Sequence, residues 1–286
     1  LHARGIPPAA EAWLRSWWDF PAHDRFGIGH TISIRPGQPG PASGDAAAAP
    51  VTLPGVEMPC RALGDGAWEI GGPGAGVRLR MDERESRIEG WGWEGGVYPA
   101  LFAAISEVLR AGGLIPLHGA GIVRGGGVTA LLALSGTGKS STLVQALRAG
   151  WRPVAEDLMW LDPITLTVYG WDRGVHLWPD ARARFAADVE GWEPSPEGKL
   201  FLPWRALGVV GPASGRLERI AVLERDAERD SAWEPLPPRE GVRALWESMG
   251  VPLSPFARDA AAREVPRLLE RVETCRLVLG RTALPL

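Results

Sequence analysis

Between residues 128 and 149 an apolar, β-rich run passes into a glycine-rich turn and then into a helix-forming stretch, and the turn reads Leu134-Ser-Gly-Thr-Gly-Lys-Ser-Ser141. No other feature of the chain constrains its fold as tightly. Residues 128–134 are short and apolar enough for a buried strand, and Leu143, Ala146 and Leu147 fall on one face of the helix that follows. A strand entering a helix through such a turn aims successive backbone N–H groups at one spot, where the helix start adds its partial positive charge. Gly136 and Gly138 give the backbone freedom to bend that tightly. The loop therefore suits a polyphosphate: Ser135, Gly136, Thr137, Gly138, Lys139, Ser140 and Ser141 line the cradle, Lys139 neutralises the β- and γ-phosphates, and the Ser140 hydroxyl ligates Mg²⁺. The full pattern G-x-x-x-x-G-K-[ST] places glycine at position 133, where this chain has Ala133. Alanine serves there if its backbone stays extended. The lysine is itself informative, because only Lys139 and Lys199 among the 31 basic residues are lysines.

With 45% hydrophobic residues in a chain of 286, there is material for one large core or two modest ones. A formal net charge of −3 offers no general attraction to nucleic acid or anionic lipid. Cys60 and Cys275 stand far apart without metal-ligand spacing, which argues against a disulfide framework or zinc site and makes the cytoplasm the expected compartment. No apolar run reaches the length of a membrane span. Residues 1–20 carry Glu11 and Asp19 where a signal peptide needs an apolar core.

Residues 9–18 have the spacing of a short amphipathic helix with Trp13, Trp17 and Trp18 as anchors. Strand-like alternation recurs at 30–35, 67–70, 77–81 and 87–91, and the Gly/Pro/Ala segment 36–50 reads as a flexible loop. Residues 71–76 resemble a dinucleotide fingerprint only on paper, since a strand rather than a helix follows them, and they read as a turn. Residues 98–111 form a helix ended by Gly112-Gly113. These pieces make an N-terminal unit over 1–113, and 114–286 make a second. Within the second, 114–123 and 128–134 flank Gly125-Gly-Gly127 as a hairpin. Strands are expected at 152–155, 158–161 (its extension or neighbour), 165–171, 219–224 and 275–278, with helices at 238–248 and 257–272.

Chemistry-bearing residues collect around the loop. His118 lies on the strand before it, Glu156-Asp157 ends the strand after its helix, Arg173 and His176 follow the next strand, and Lys199 sits further on. Ligands of open α/β sheets gather at the carboxyl ends of strands, which is where the acidic pair falls. His176 and Asp172 read as structural.

His118-Gly-Ala, Ser135-Gly-Thr-Gly-Lys-Ser140 and Ala155-Glu-Asp157 together resemble the catalytic core of HPr kinase/phosphorylase and the wider HPr-kinase-related group. That family carries a histidine 21 residues before the loop lysine and an acidic pair beginning 17 residues after it; here 139 − 118 = 21 and 156 − 139 = 17. The likeness covers about residues 114–180, with Ala133-Leu134 in place of the family's Gly-Asp, Ser141 in place of Glu, and Glu156 in place of the first Asp. It implies an α/β fold: a P-loop kinase core of the HPr kinase/phosphoenolpyruvate carboxykinase-like type, joined to a smaller, mostly antiparallel, β-rich N-terminal unit. It also implies ATP and Mg²⁺ as cofactors, a serine of a peptide or small protein as acceptor, a ribosomally made precursor peptide among the candidates, and homo-oligomers. Phosphoryl transfer to an alcohol needs positioning, charge neutralisation and a carboxylate to accept the proton. By position Glu156 takes the base role with His118 hydrogen-bonded to it, Asp157 joins Ser140 on the metal, and Arg173 or Lys199 stabilises developing charge. A nucleotide-binding scaffold without transfer activity and a small-metabolite kinase are the alternatives.

Overall fold

The computed structural model describes residues 2–18, 31–40, 49–53, 56–64, 66–82, 85–195, 197–209 and 214–285. It is a mixed α/β protein whose contacts divide it into two compact units, Leu1–Gly113 with Gly250–Ala260 and Leu114–Met249 with Ala261–Leu286. A single cut after residue 113 is thus not how the chain divides, because residues 250–260 return to the first unit.

The first unit opens with β1 (His2–Ala3), α1 (Pro8–Trp18), β2 (Thr31–Pro36), β3 (Ala49–Leu53), β4 (Val56–Gly64), β5 (Ala67–Gly71), β6 (Gly76–Met81), β7 (Glu85–Trp91) and α2 (Tyr98–Ala111). Its sheet has the order β1-β2-β7-β6-β5-β4-β3, parallel where β2 meets β1 and β7 and antiparallel elsewhere. Alternation makes the sheet two-faced. Ile70, Val77, Leu79 and Ile88 point at α2, whose Leu101, Ile105 and Val108 complete the core. On the other face Arg61, Glu69, Arg78, Glu89 and Arg35 form an alternating ladder of charge across five strands. Helix α2 starts with a proline in its first turn and ends where Gly113 takes φ 93° and returns its N–H to Arg110. The buried Glu107 carboxylate accepts the Ser254 N–H at 2.7 Å, and Ser254 Oγ in turn caps the helix that follows it through the Ala257 N–H. In the stretch expected to be a flexible loop, residues 41–48 lie outside the described residues, while Pro36 ends β2 and Ala49 begins β3.

The second unit contains β8 (Ile115–Arg124), β9 (Gly127–Leu132), α3 (Lys139–Arg148), β10 (Arg152–Ala155), β11 (Leu158–Asp162), β12 (Thr167–Gly170), β13 (Gly174–Leu177), α4 (Pro179–Phe185), β14 (Glu193–Pro194), β15 (Leu200–Pro203), β16 (Ser214–Arg225), β17 (Ala232–Pro235), α5 (Pro238–Met249), most of α6 (Pro255–Leu269) and β18 (Glu273–Leu279). Strands β8 and β9 form the expected hairpin, turned by Gly125 and Gly126 at φ 62° and 94°. Strand β9 lies between β8 and a parallel β16, and β8-β11-β12-β16-β9 close into a hydrogen-bonded circuit. Because β9 is covered on both sides, it is buried throughout rather than alternately, with Thr129 its one polar side chain. Val128, Ala130 and Leu132 pack with Leu245 and Met249 of α5 and Val265 and Leu268 of α6. Leu131 faces the opposite layer, where Leu143, Val144 and Ala146 of α3 meet Val175, Leu177 and Leu202. The last three belong to a small antiparallel sheet of order β13-β15-β14.

Candidate active site

The glycine-rich loop expected to cradle phosphate runs from the end of β9 to the start of α3. Gly136 and Gly138 adopt φ 82° and 121°, conformations that L side chains rarely take. Ala133 does not: Leu166 is the only non-glycine residue with positive φ among the described residues, so alanine replaces the expected glycine without strain. Gly138 caps α3 with no side-chain partner, which leaves the first helical N–H groups uncapped and directed at the loop. Ser135 and Gly136 are exposed, Thr137 donates its N–H to the Leu134 carbonyl at 3.3 Å, and Ser141 lies on the first turn of α3.

Lys139 is 8% exposed, and its Nζ donates to the Ala133 carbonyl at 2.9 Å while standing 3.4 Å from His118 Nε2. Burial lowers its pKa, against the opposing pull of Asp157 and Glu156. A lysine folded back on its own loop in this way can exchange that carbonyl for phosphate oxygens.

The acidic pair sits in a break of the sheet. After a one-residue shift between Pro153 and Ala155, Ala155 faces Gly121 in the same register in which Leu158 faces His118, with Glu156 and Asp157 on the bend between them. Three consecutive amides of that bend, those of Glu156, Asp157 and Leu158, donate to one oxygen of Asp172 at 2.7, 2.7 and 3.1 Å. Burial and the neighbouring Glu156 push the Asp172 carboxyl up to about 7, against the amides that hold it down.

The two acids have different partners. Glu156 accepts a hydrogen bond from the Ser140 hydroxyl, and its other oxygen lies 3.2 Å from His176 Nδ1. That hydrogen bond raises the His176 pKa. Asp157 is half-exposed and lies 3.4 Å from His118 Nδ1. Burial raises the Asp157 pKa and lowers that of His118, each opposed by the other's charge. The structure therefore reverses the expected pairings: His118 adjoins Asp157 rather than Glu156, and Ser140 meets Glu156 rather than Asp157. The extra methylene of Glu156 lets its carboxylate reach back to Ser140 at the start of α3, whereas the next side chain on the bend turns toward β8.

His176 and Asp172, read from sequence as structural, both belong to this cluster. Asp172 is brought in by its hydrogen bonds to the amides of the bend and His176 by its place on β13 beside Glu156, tertiary pairings that no local pattern announces. Arg173 is exposed, and its carbonyl accepts the Trp204 N–H at 2.9 Å. Lys199 stands over the Trp178 ring, 5.7 Å from its centroid and 3.5 Å from Glu197, and its charge is felt at Lys139, Asp157 and His176.

A hydroxyl and a carboxylate joined beside this glycine-rich loop make a hard-oxygen donor set of the kind Mg²⁺ uses when nucleotide phosphates supply further ligands. Ser140 and Glu156 thus fit a nucleotide-bound cation. No helix is long and apolar enough to cross a membrane among the described residues. No protein-family model and no curated protein matches this chain.

Proposed function

We propose that the protein is an ATP-dependent kinase that transfers the γ-phosphoryl group to a serine hydroxyl of a peptide or small protein. One observation carries the reading: a buried loop lysine, a loop serine and two successive carboxylates with different histidine partners converge at the mouth of a phosphate cradle. In this reading the uncapped amides of α3 and the Lys139 ammonium bind the triphosphate. Ser140 and Glu156 hold Mg²⁺, which when bound shields charge on the phosphate oxygens. His176 fixes the free oxygen of Glu156 and so its orientation.

Asp157 is the base. Its carboxylate is half-exposed, unlike that of Glu156, and the loss of solvent around it raises its proton affinity above the ordinary carboxylate value. It takes the hydroxyl proton at one oxygen as the acceptor oxygen bonds to the γ-phosphorus and the bond to the ADP oxygen breaks. His118 adjoins both Asp157 and Lys139, keeping the base and the phosphate-binding cation in register. The base therefore moves by one residue from the position favoured by sequence alone.

Incubation with Mg-ATP and candidate serine peptides should add one phosphate to the acceptor, detected by mass, and Lys139→Ala should abolish the transfer. Full activity in that variant refutes the assignment.

A further inference from the structure

The small sheet β13-β15-β14 has two unlike faces. Val175 pairs with Leu202 and Leu177 with Leu200, and Val175, Leu177 and Leu202 pack into the core. His176 pairs with Phe201 on the other side, and Trp178 and Lys199 continue that face one step on, as the ammonium over the indole ring shows. The His176 and Phe201 rings lie 4.9 Å apart at their centroids, and Trp178 is 52% exposed although it is among the largest apolar side chains of the unit. This face begins at the catalytic acids, because His176 Nδ1 is 3.2 Å from Glu156. It ends at the second of the chain's two lysines, whose carboxylate neighbour, Glu197, is 74% exposed at 3.5 Å and binds it only weakly.

We propose that this face is the acceptor's docking surface and that it takes an extended peptide bearing an acidic side chain two residues from the reactive hydroxyl. The proposal rests on the kinase reading and names the substrate class for the same site. Residues two apart on a strand lie about 6.6 Å apart on one face, and an extended peptide laid along β13 has the same repeat. A hydroxyl held over His176 beside the acids therefore places the side chain two residues away over Trp178. There the methylenes of an aspartate or glutamate pack on the indole, and the carboxylate reaches the Lys199 ammonium. A small alcohol held over His176 would reach neither the Trp178 ring nor the Lys199 ammonium one step further on. The face thus favours a peptide over a metabolite.

The test uses the full chain, Mg-ATP and alanine-based peptides with one central serine and Glu, Gln or Lys placed two residues before or after it. The Glu peptide of one series should exceed its Gln counterpart about tenfold in kcat/KM, with the Lys peptide weaker still. Trp178→Ala should raise KM for the Glu peptide about tenfold and Trp178→Phe should restore it. Lys199→Met should erase the preference for Glu over Gln. Transfer without discrimination among the peptides, or a Trp178→Ala variant with unchanged KM, overturns the docking surface and leaves the kinase reading standing. Phosphorylation of free serine or another small alcohol but of no peptide overturns it in favour of a metabolite kinase. Absence of transfer to any acceptor removes the kinase reading and this surface together.

Discussion

Asp172→Asn isolates the electrostatics of the bend that carries Glu156 and Asp157. The change is nearly isosteric and keeps one oxygen toward the amides of Glu156, Asp157 and Leu158, but it removes a charge that burial and Glu156 oppose. In the folded protein this carboxyl lies at about 7 instead of 3.8, so the folded state holds its proton over a range where the unfolded chain has lost it. A carboxyl raised in this way contributes stability that is fully present below about 4 and is lost as pH rises through about 7. Each pH unit inside that window is worth about 1.4 kcal/mol, so wild type should lose roughly 3 kcal/mol relative to the Asn variant between pH 5 and pH 8. Urea unfolding of both proteins at pH 5, 6, 7 and 8, followed by tryptophan fluorescence, gives the difference directly. A difference that instead favours wild type more strongly as pH rises would refute the reasoning, because the three amide donors would then outweigh burial and hold the carboxyl below its ordinary value.

Gly138→Ala forces a β-carbon onto a residue at φ 121° and to 3.2 Å from Leu279 Cδ1, so nucleotide affinity measured by calorimetry should fall about five- to thirtyfold, for a strain of about 1–2 kcal/mol. Ala133→Gly should leave that affinity within about twofold, since no positive φ is needed there. Asp157→Asn should lower kcat by about a hundredfold or more while ATP still binds, whereas Ser140→Ala should shift the Mg²⁺ dependence of nucleotide binding; both are read from titrations of ATP with and without the cation. Glu107→Ala removes a buried acceptor of the Ser254 N–H and the carboxylate beside Arg110, and should cost about 3 kcal/mol by thermal unfolding with nucleotide affinity unchanged.

Elements with a strong local signal were legible in the sequence. The α2 span and its glycine stop, the β8-β9 hairpin, the helix after the phosphate loop and the alternation of β6 all come from periodicity and turn chemistry that need no partner to be recognised. Strands β13, β14 and β15 have two to four residues each and exist because they pair with one another, so no local pattern announces them. Strand β3 starts at the end of the segment 36–50 that reads as loop and β4 follows it where no strand is expected; both form by pairing along the sheet edge. Of the candidate site, the loop and the acidic pair follow from spacing. Which acid meets Ser140 does not, because it depends on how far a glutamate reaches from a bend that only tertiary pairing creates.

That bend has a further cost in backbone hydrogen bonds. A regular ladder would pair residues 156 and 157 with β8, leaving their side chains pointing to opposite faces and only one of them at the phosphate loop. Bending the strand at those two residues brings both carboxylates to one end of the sheet, but removes the donors of three amides from the ladder. Buried amides without acceptors are rarely tolerated. One oxygen of Asp172 receives all three, while the Asp157 carbonyl accepts the Gly119 N–H at 2.9 Å and keeps the bend tied to β8. An uncharged acceptor with a single carbonyl would hold three amides less firmly than a carboxylate does, which accounts for an acid being placed where two others already raise its proton affinity. The same constraint makes Asp172 a positioning residue for both acids: its loss changes the path of the backbone that carries them, because one of its oxygens holds all three amides of the bend.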